Sequence, residues 1–310
     1  MVKNPLPVRA GISASRLYIP KGDWKTLLDF LLHRFPHMDV DIIKMRLARG
    51  DMVNQHGVAY QLDSVYPADS WLWYYREVED EVPVPFELTV LFQDDYLIAV
   101  DKPHFLASIP GGRYLQETAL IRLRKMFNNY HISPLHRLDR DTAGVLLFCM
   151  HPDYRGAYQS LFQGRDIHKV YECVAPWRQE LTFPLTHCSH IEKSPQYFTM
   201  QEASDPSIPP NSETLIEVIQ HNECYAHYRL IPHTGKKHQL RVHMNSLRMP
   251  ICHDEFYPVL LPARATDNFK KPLQLLARSI RFLDPVTRQE RYFESMQTLD
   301  LVKQYFTHAL

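Results

Sequence analysis

Asp139 stands between Arg137 and Arg140 in HRLDRDTAGVLLF, residues 136–148, where a polar turn passes straight into an apolar strand. A carboxylate beside cations is held ionised, and an ionised aspartate can act as a nucleophile or a base. In a strand the neighbours at i−1 and i+1 point away from residue i, so the cation facing Asp139 is expected from elsewhere in the chain. The same pattern also fits a surface ion-pair cluster. A second concentration of charge is Cys224–His253: these thirty residues hold Arg229, Lys236, Lys237, Arg241, Arg248 and five histidines, with no Asp or Glu, in a chain of 35 basic and 35 acidic side chains. Within it, HTGKKHQLRVHM sets Lys236 and Lys237 beside a turn at Gly235, and then His238, Gln239, Arg241 and His243 at the start of a helix. Turn amides together with lysines can hold phosphate, which makes an anionic polymer the candidate partner. The alternative is a solvated basic face. In DIHKVYECVAP, Lys169 and Tyr171 lie two apart on a strand and share a face. Such a tyrosine can stack on a base while the lysine holds a phosphate, or it can be a core aromatic.

Other chemistries lack their signatures. His187, Cys188 and His190 in THCSH, with His238, His243 and His253 downstream, are metal-ligand types, but they form neither HExxH nor CxxC spacing, so no metal is expected. There is no Walker loop, GxGxxG or GxSxG, which argues against nucleotide-dependent and serine-hydrolase chemistry. The five cysteines (Cys149, Cys173, Cys188, Cys224, Cys252) are scattered and read as reduced thiols. No stretch has the length or apolarity of a signal peptide or a membrane span, so the expectation is a cytoplasmic protein with no membrane partner. Without a coiled-coil pattern or a long apolar stripe, a monomer is expected.

The elements that must carry these residues can be read from pattern. DWKTLLDFLLHRF, residues 23–35, has helical spacing with Asp23 as its cap, and Pro36 stops it. DVDIIKMRLARG is a second short helix, capped by Asp39 and closed at Gly50. DMVNQHGVAY reads as strand, turn and strand, with the turn near Asn54–Gly57, and WLWYY as a further strand. An acidic run followed by Pro83 and Pro85 marks a linker over 77–88. It divides an N-terminal region, 1–76, containing a small α/β domain over about 20–75, from a larger domain, 89–310. In the larger part, strands are expected around an Asp94-Asp95 turn, at 144–149 and at 169–175. A helix is expected after Gly111-Gly112, then strand, turn and helix through HYRLIPHTGKKHQLRVHMNSLRM, and a closing hairpin at Asp284-Pro285. Strands and helices mix without regular βαβ alternation, so the fold class is α+β.

Three segments taken together resemble the RluA-type pseudouridine synthases. HRLDRDTAGVLLF resembles that family's H-R-L-D-R-x-T-S-G, HKVYECVA its K-x-Y-x-A, and TGKKHQLRVHM its T-G-R-x-H-Q-I-R-V-H; YLIAVDKPHFLAS is similar to its strand ending in Lys-Pro. The likeness spans roughly 88–296. It implies a mixed, mostly antiparallel sheet with flanking helices and loops. The implied activity is isomerisation of uridine to pseudouridine in structured RNA, ribosomal RNA favoured over transfer RNA, with no cofactor. It also implies that Asp139 is catalytic, that Arg241 pairs with it and that Tyr171 lies against the target base. Arg137, Arg140, Lys169, Lys236, Lys237, His238 and Gln239 are then expected to contact RNA. Departures are Ala143 for the usual Ser, Lys236 and Lys237 for Arg and Ser/Thr, Leu276 where His is common, and CHDEFYP in place of Gly-Asp-x-x-Tyr-Gly. The N-terminal part is similar to the αL RNA-binding motif of ribosomal proteins, with Lys44, Arg46 and Arg49 as its cations and Asp69-Ser70 in place of the usual Gly-Asp. The rival reading is a catalytically idle RNA-binding or ribosome-assembly factor with the same fold. Loops 104–117 and 252–270 are expected to select the RNA.

Overall fold

The computed structural model describes residues 3–9, 11–77, 81–164, 166–196, 198–262 and 268–306. The chain forms two compact units, residues 1–81 with 112–116, and residues 82–111 with 117–310.

In the smaller unit, β1 (Ser15–Ile19), β2 (Met52–Val53) and β3 (Ser70–Tyr74) pair antiparallel in the order β1-β3-β2. Helices α1 (Leu27–Arg34) and α2 (Val40–Ala48) bury Leu27, Leu31, Ile43 and Leu47 in one core with Ile19 and Leu72. The first helix starts three residues beyond the expected Asp23 cap. Thr26 Oγ1 accepts from the Asp29 amide while Asp29 Oδ2 accepts from the Thr26 amide, each at 3.1 Å, and this capping box fixes the start. Asp39 caps the second helix by accepting from the Asp41 amide at 2.8 Å. The turn at Asn54–Gly57 is closed by the Gly57 amide donating to the Asn54 carbonyl at 3.0 Å. The linker expected over 77–88 lies partly outside the described residues, at 78–80; its remainder carries no helix or strand, and Val84 and Leu88 are buried in the core of the larger unit.

The larger unit is α+β. Its strands are β4 (Thr89–Gln93), β5 (Leu97–Lys102), β6 (Ser133–Pro134), β7 (Ala143–Cys149), β8 (Ile167–Pro176), β9 (Leu185–Ser189), β10 (Ile191–Lys193), β11 (Met200–Glu202), β12 (Ser212–His221), β13 (Tyr225–Pro232), β14 (Leu275–Leu283) and β15 (Glu290–Glu294). Its helices are α3 (Ala119–Met126), α4 (Pro152–Gly164), α5 (Gln239–Ser246) and α6 (Asp300–Phe306). Ten strands form one sheet in the order β4-β5-β7-β14-β8-β13-β12-β9, with β15 on β14 and β6 on β7; β10 and β11 pair separately. Every described pair of strands is antiparallel except β7 with β14. The central β7, AGVLLFC, is buried along its whole length because both faces are covered. Leu146 and Phe148 pack with Leu120 and Leu123 of α3, while Leu147 and Cys149 pack with Tyr158 of α4. Where β7 begins, Gly144 has φ +109° and lies directly against the Ala277 backbone of β14. No described helix is long and apolar enough to cross a membrane.

Candidate active site

Asp139 sits in the loop between β6 and β7, and the residues around it are pinned. Ser108 Oγ donates to the Leu138 carbonyl at 2.7 Å and accepts from the Leu138 amide at 3.1 Å. On the other side, the fully buried Lys102 ammonium donates to the carbonyls of Arg140, Pro103 and Leu106 at 3.1, 2.9 and 2.8 Å. These three carbonyls accept all of its hydrogens, while burial lowers its pKa to about 7. The Thr142 amide closes the turn onto the Asp139 carbonyl at 3.2 Å. What remains free to reach outward is the aspartate side chain.

The cation facing it comes from α5. Arg241, 2% exposed, donates from Nη1 to Asp139 Oδ2 at 3.2 Å. The rest of its guanidinium is held by Asp254, with Nε to Oδ2 at 2.8 Å and Nη2 to Oδ1 at 2.6 Å. Phe256 and Tyr257 cover the guanidinium at 4.6 and 5.4 Å from their ring centroids. Burial alone would discharge Arg241, but Asp254 and then Asp139 raise its pKa well above the ordinary value. For Asp139, burial opposes ionisation, yet His238, Arg241 and Arg137 outweigh it and lower its carboxyl pKa. The pair is therefore a fixed carboxylate held by a fixed guanidinium.

Asp139 and Arg241 line a cavity of about 350 Å³ with Tyr171, Lys169, Arg137, Lys236, Lys237 and His238. That volume falls in the range of small-ligand pockets, about 300–1,000 Å³. A neighbouring cavity of about 500 Å³ shares Arg137, Lys169, Tyr171 and Lys236 with it. Lys169 and Tyr171 thus do present one face of β8. Burial, and then the charge of Asp139, raises the Tyr171 hydroxyl pKa, so Tyr171 offers a neutral ring. Lys169 has no ion pair or hydrogen bond among the described residues, and burial lowers its pKa. Arg137 and Lys236 are exposed at the same cavity, while Lys237 lies over the Phe198 ring at 3.6 Å and donates to the Phe198 carbonyl at 2.7 Å. The arrangement sets one carboxylate, an aromatic ring and several cations around one cavity.

Other expected RNA contacts are placed differently. Gln239 is 4% exposed and both ends of its amide are occupied: Oε1 accepts from Thr234 Oγ1 and the Lys236 amide at 2.7 and 3.0 Å, and Nε2 donates to the Glu213 carbonyl and Thr214 Oγ1, each at 3.0 Å. It braces the turn beneath the cavity that it also lines. His238 is 5% exposed and lines the same cavity as Asp139. Arg140 does not line the cavity; it pairs with Asp141 at 2.7 Å and lies over Phe105. On α2, Arg46 is buried, donating to the Tyr75 carbonyl and facing Tyr74, and Arg49 pairs with Asp51 and Glu77. Lys44 alone of those three is exposed without a partner among the described residues. His187, Glu202 and His243 come within 4.8 Å of one another. Both nitrogens of His243 are taken by hydroxyls of Thr214, Ser189 and Ser212, and His187 by Glu202 at 2.8 Å, which ties α5 to β9, β11 and β12. His190 and His253 bond the carbonyls of Pro209 and Pro272, and Cys188 is exposed. Asp254 was not singled out from the sequence. Its signal was there: it is the first carboxylate after the thirty acid-free residues that contain Arg241.

Comparison with known proteins bears on this geometry. The family model described as RNA pseudouridylate synthase matches residues 96–246. The chain is 33% identical over 204 residues to the dual-specificity RNA pseudouridine synthase RluA of Vibrio cholerae, covering 64% of this chain and 78% of that protein. It is 31% identical over 224 residues to tRNA pseudouridine synthase C of Pasteurella multocida, covering 66% and 88%. Among solved structures, human RNA pseudouridylate synthase domain containing 4 matches with a TM-score of 0.53 and 24% identity, over 68% of this chain and 88% of that one, a likeness of fold.

Proposed function

From the premise that this chain belongs to the RluA-type family of RNA pseudouridine synthases, and is an isomerase, we propose that it converts specific uridines to pseudouridine in structured RNA with Asp139, Tyr171 and Arg241 as its catalytic residues. The observation that carries the reading is the Asp139–Arg241 pair at 3.2 Å in the same cavity as Tyr171.

The target base must leave its stack to reach Asp139, at a cost of about a few kcal/mol. Arg137, Lys169, Lys236 and Lys237 offset it by holding the flanking phosphates, so binding weakens as salt rises. Tyr171 stacks on the base. Asp139 then acts at the sugar by one of two routes. In the first, a carboxylate oxygen bonds to C1′ as the C1′–N1 bond breaks and its electron pair leaves on the uracil. In the second, the carboxylate takes the C2′ proton while the same bond breaks. The uracil then turns: in the first route C5 bonds to C1′ as the bond from C1′ to the carboxylate breaks, and in the second C5 bonds to C1′ of the unsaturated sugar as Asp139 returns the proton to C2′. In both, the carboxylate is regenerated, C5 loses its proton and N1 takes one up. Arg241 keeps that carboxylate charged in a site poor in water. The atoms rearrange within one nucleotide with no net oxidation, so no cofactor or metal is assigned.

Ribosomal RNA is proposed as the favoured target over transfer RNA because of the N-terminal likeness to a ribosomal-protein motif; Lys44 is the exposed cation available there. We place the protein in the cytoplasm, acting as a monomer of two domains joined over 77–88. The test is pseudouridine mapping of total RNA from wild-type cells and cells carrying only Asp139→Asn. Loss of a site in the variant supports the reading and names the RNA; retention of every site by a variant that still binds RNA favours the idle binding factor.

A further inference from the structure

His238 is the residue that the mechanism leaves without a task. It opens α5 with φ +56°, in the left-handed region that residues other than glycine rarely adopt. Its Nδ1 lies 2.9 Å from the Tyr257 hydroxyl. Its Nε2 is buried, makes no hydrogen bond among the described residues, and lies 3.8 Å from Asp139 Oδ2. An unpartnered buried donor of this kind calls for an explanation.

The neighbours decide which nitrogen carries the proton. The Tyr257 oxygen accepts from the Met200 amide at 2.8 Å, and its own proton has no acceptor but His238 Nδ1 among the described residues, so we assign that proton to the Tyr257–Nδ1 bond. That leaves the hydrogen of the neutral ring on Nε2. The opposite tautomer would strand the tyrosine proton and aim a lone pair at a carboxylate. Burial lowers the ring pKa to about 4, so His238 is neutral at physiological pH.

We propose that His238 is a positioning residue for the isomerisation: with Arg241 it fixes Asp139 Oδ2 and so presents Oδ1 to the sugar. This rests on the reading of Asp139 given above. Oδ2 has the Arg241 bond and the His238 N–H facing it, whereas Oδ1 has no hydrogen bond among the described residues. The arrangement leaves the aspartate one reactive oxygen with a defined direction.

The test uses the full chain and RNA labelled with tritium at uridine C5, prepared from cells carrying Asp139→Asn. Release of tritium is followed in single turnover with excess protein. His238→Gln can return an N–H to the Nε2 position; His238→Asn keeps a group near Nδ1 but does not reach Asp139. The expected result is a rate about tenfold or more lower for Asn and for Ala, with Gln within about threefold of wild type and half-saturating protein concentrations within about twofold. Equal rates for Gln and Asn would overturn the proposal, as would an effect confined to half-saturation. If Ala does not fold, the Gln–Asn comparison decides alone. Undiminished tritium release by Asp139→Asn would instead overturn the isomerase reading, and this inference with it; a dead Asp139→Asn beside fully active His238 variants would overturn only the latter.

Discussion

Asp254 grips Arg241 more closely than Asp139 does, with two bonds of 2.8 and 2.6 Å against one of 3.2 Å. Asp254 is also the acceptor for the amides of Phe256 and Tyr257, at 2.8 and 3.2 Å, so it ties the guanidinium to the segment whose rings cover it. Its side chain is fully buried. Asp254→Asn keeps one carbonyl oxygen but leaves the Arg241 charge underpaired in the interior. We expect a loss of about 3 kcal/mol in stability and at least about a tenfold loss of turnover. Denaturant unfolding and tritium release measure the two effects.

Lys102 reaches the Asp139 loop from beneath through the Arg140 carbonyl. Lys102→Met keeps an apolar stem and removes all three donors from buried carbonyls. The expected outcome is a destabilisation of about 3 kcal/mol together with reduced activity, because the loop that aims Asp139 loses its anchor. A variant as stable as wild type by thermal unfolding would refute this account of the loop.

Gly144 follows Asp139 by five residues and allows β7 to lie against β14. A Cβ there would collide with the Ala277 carbonyl oxygen and lie 2.7 Å from that residue's N and C, on a backbone with φ +109°. Gly144→Ala is expected to yield little folded protein, since both the contact and the dihedral oppose it. Circular dichroism of the purified variant checks it.

On the strand that carries Tyr171, the adjacent Glu172 accepts from Arg278 Nε and Nη2, each at 2.9 Å, and faces His227 at 3.0 Å. Burial raises its pKa, but His227 and Arg278 outweigh that and depress it to about 2 from 4.5. A depressed carboxylate stabilises the fold above its unfolded pKa, near 4.5, and loses that contribution as pH falls through about 2. Glu172→Gln should therefore lower stability by about 2–3 kcal/mol at neutral pH and leave the difference from wild type shrinking between about pH 4.5 and 2. Unfolding midpoints across that range give the comparison.

Pattern reading located most strands and four helices, because β7 is a continuous apolar run and α1, α2, α3 and α5 have caps or turns in the sequence. It passed over α4, although Pro152 at its first position and Tyr154, Tyr158, Leu161 and Phe162 at helical spacing mark it. It also passed over the short α6. The contact between Asp139 and Arg241 spans 102 residues, and no local pattern encodes it; motif resemblance did. Exposure was the harder quantity. Gln239 and Arg46 look like surface groups by type, yet each is buried, Gln239 with its amide turned to neighbouring backbone and hydroxyls and Arg46 with Nη2 donating to the Tyr75 carbonyl. A sequence shows which groups are polar but not which of them satisfy one another.

The most direct test of the central claim is tritium release from C5-labelled RNA by the purified protein beside Asp139→Asn. Wild type should release tritium as C5 bonds to C1′, while the variant binds the same RNA and releases none above background. Comparable release by both proteins would contradict the assignment of Asp139, and with it the account of the cavity as an isomerase site.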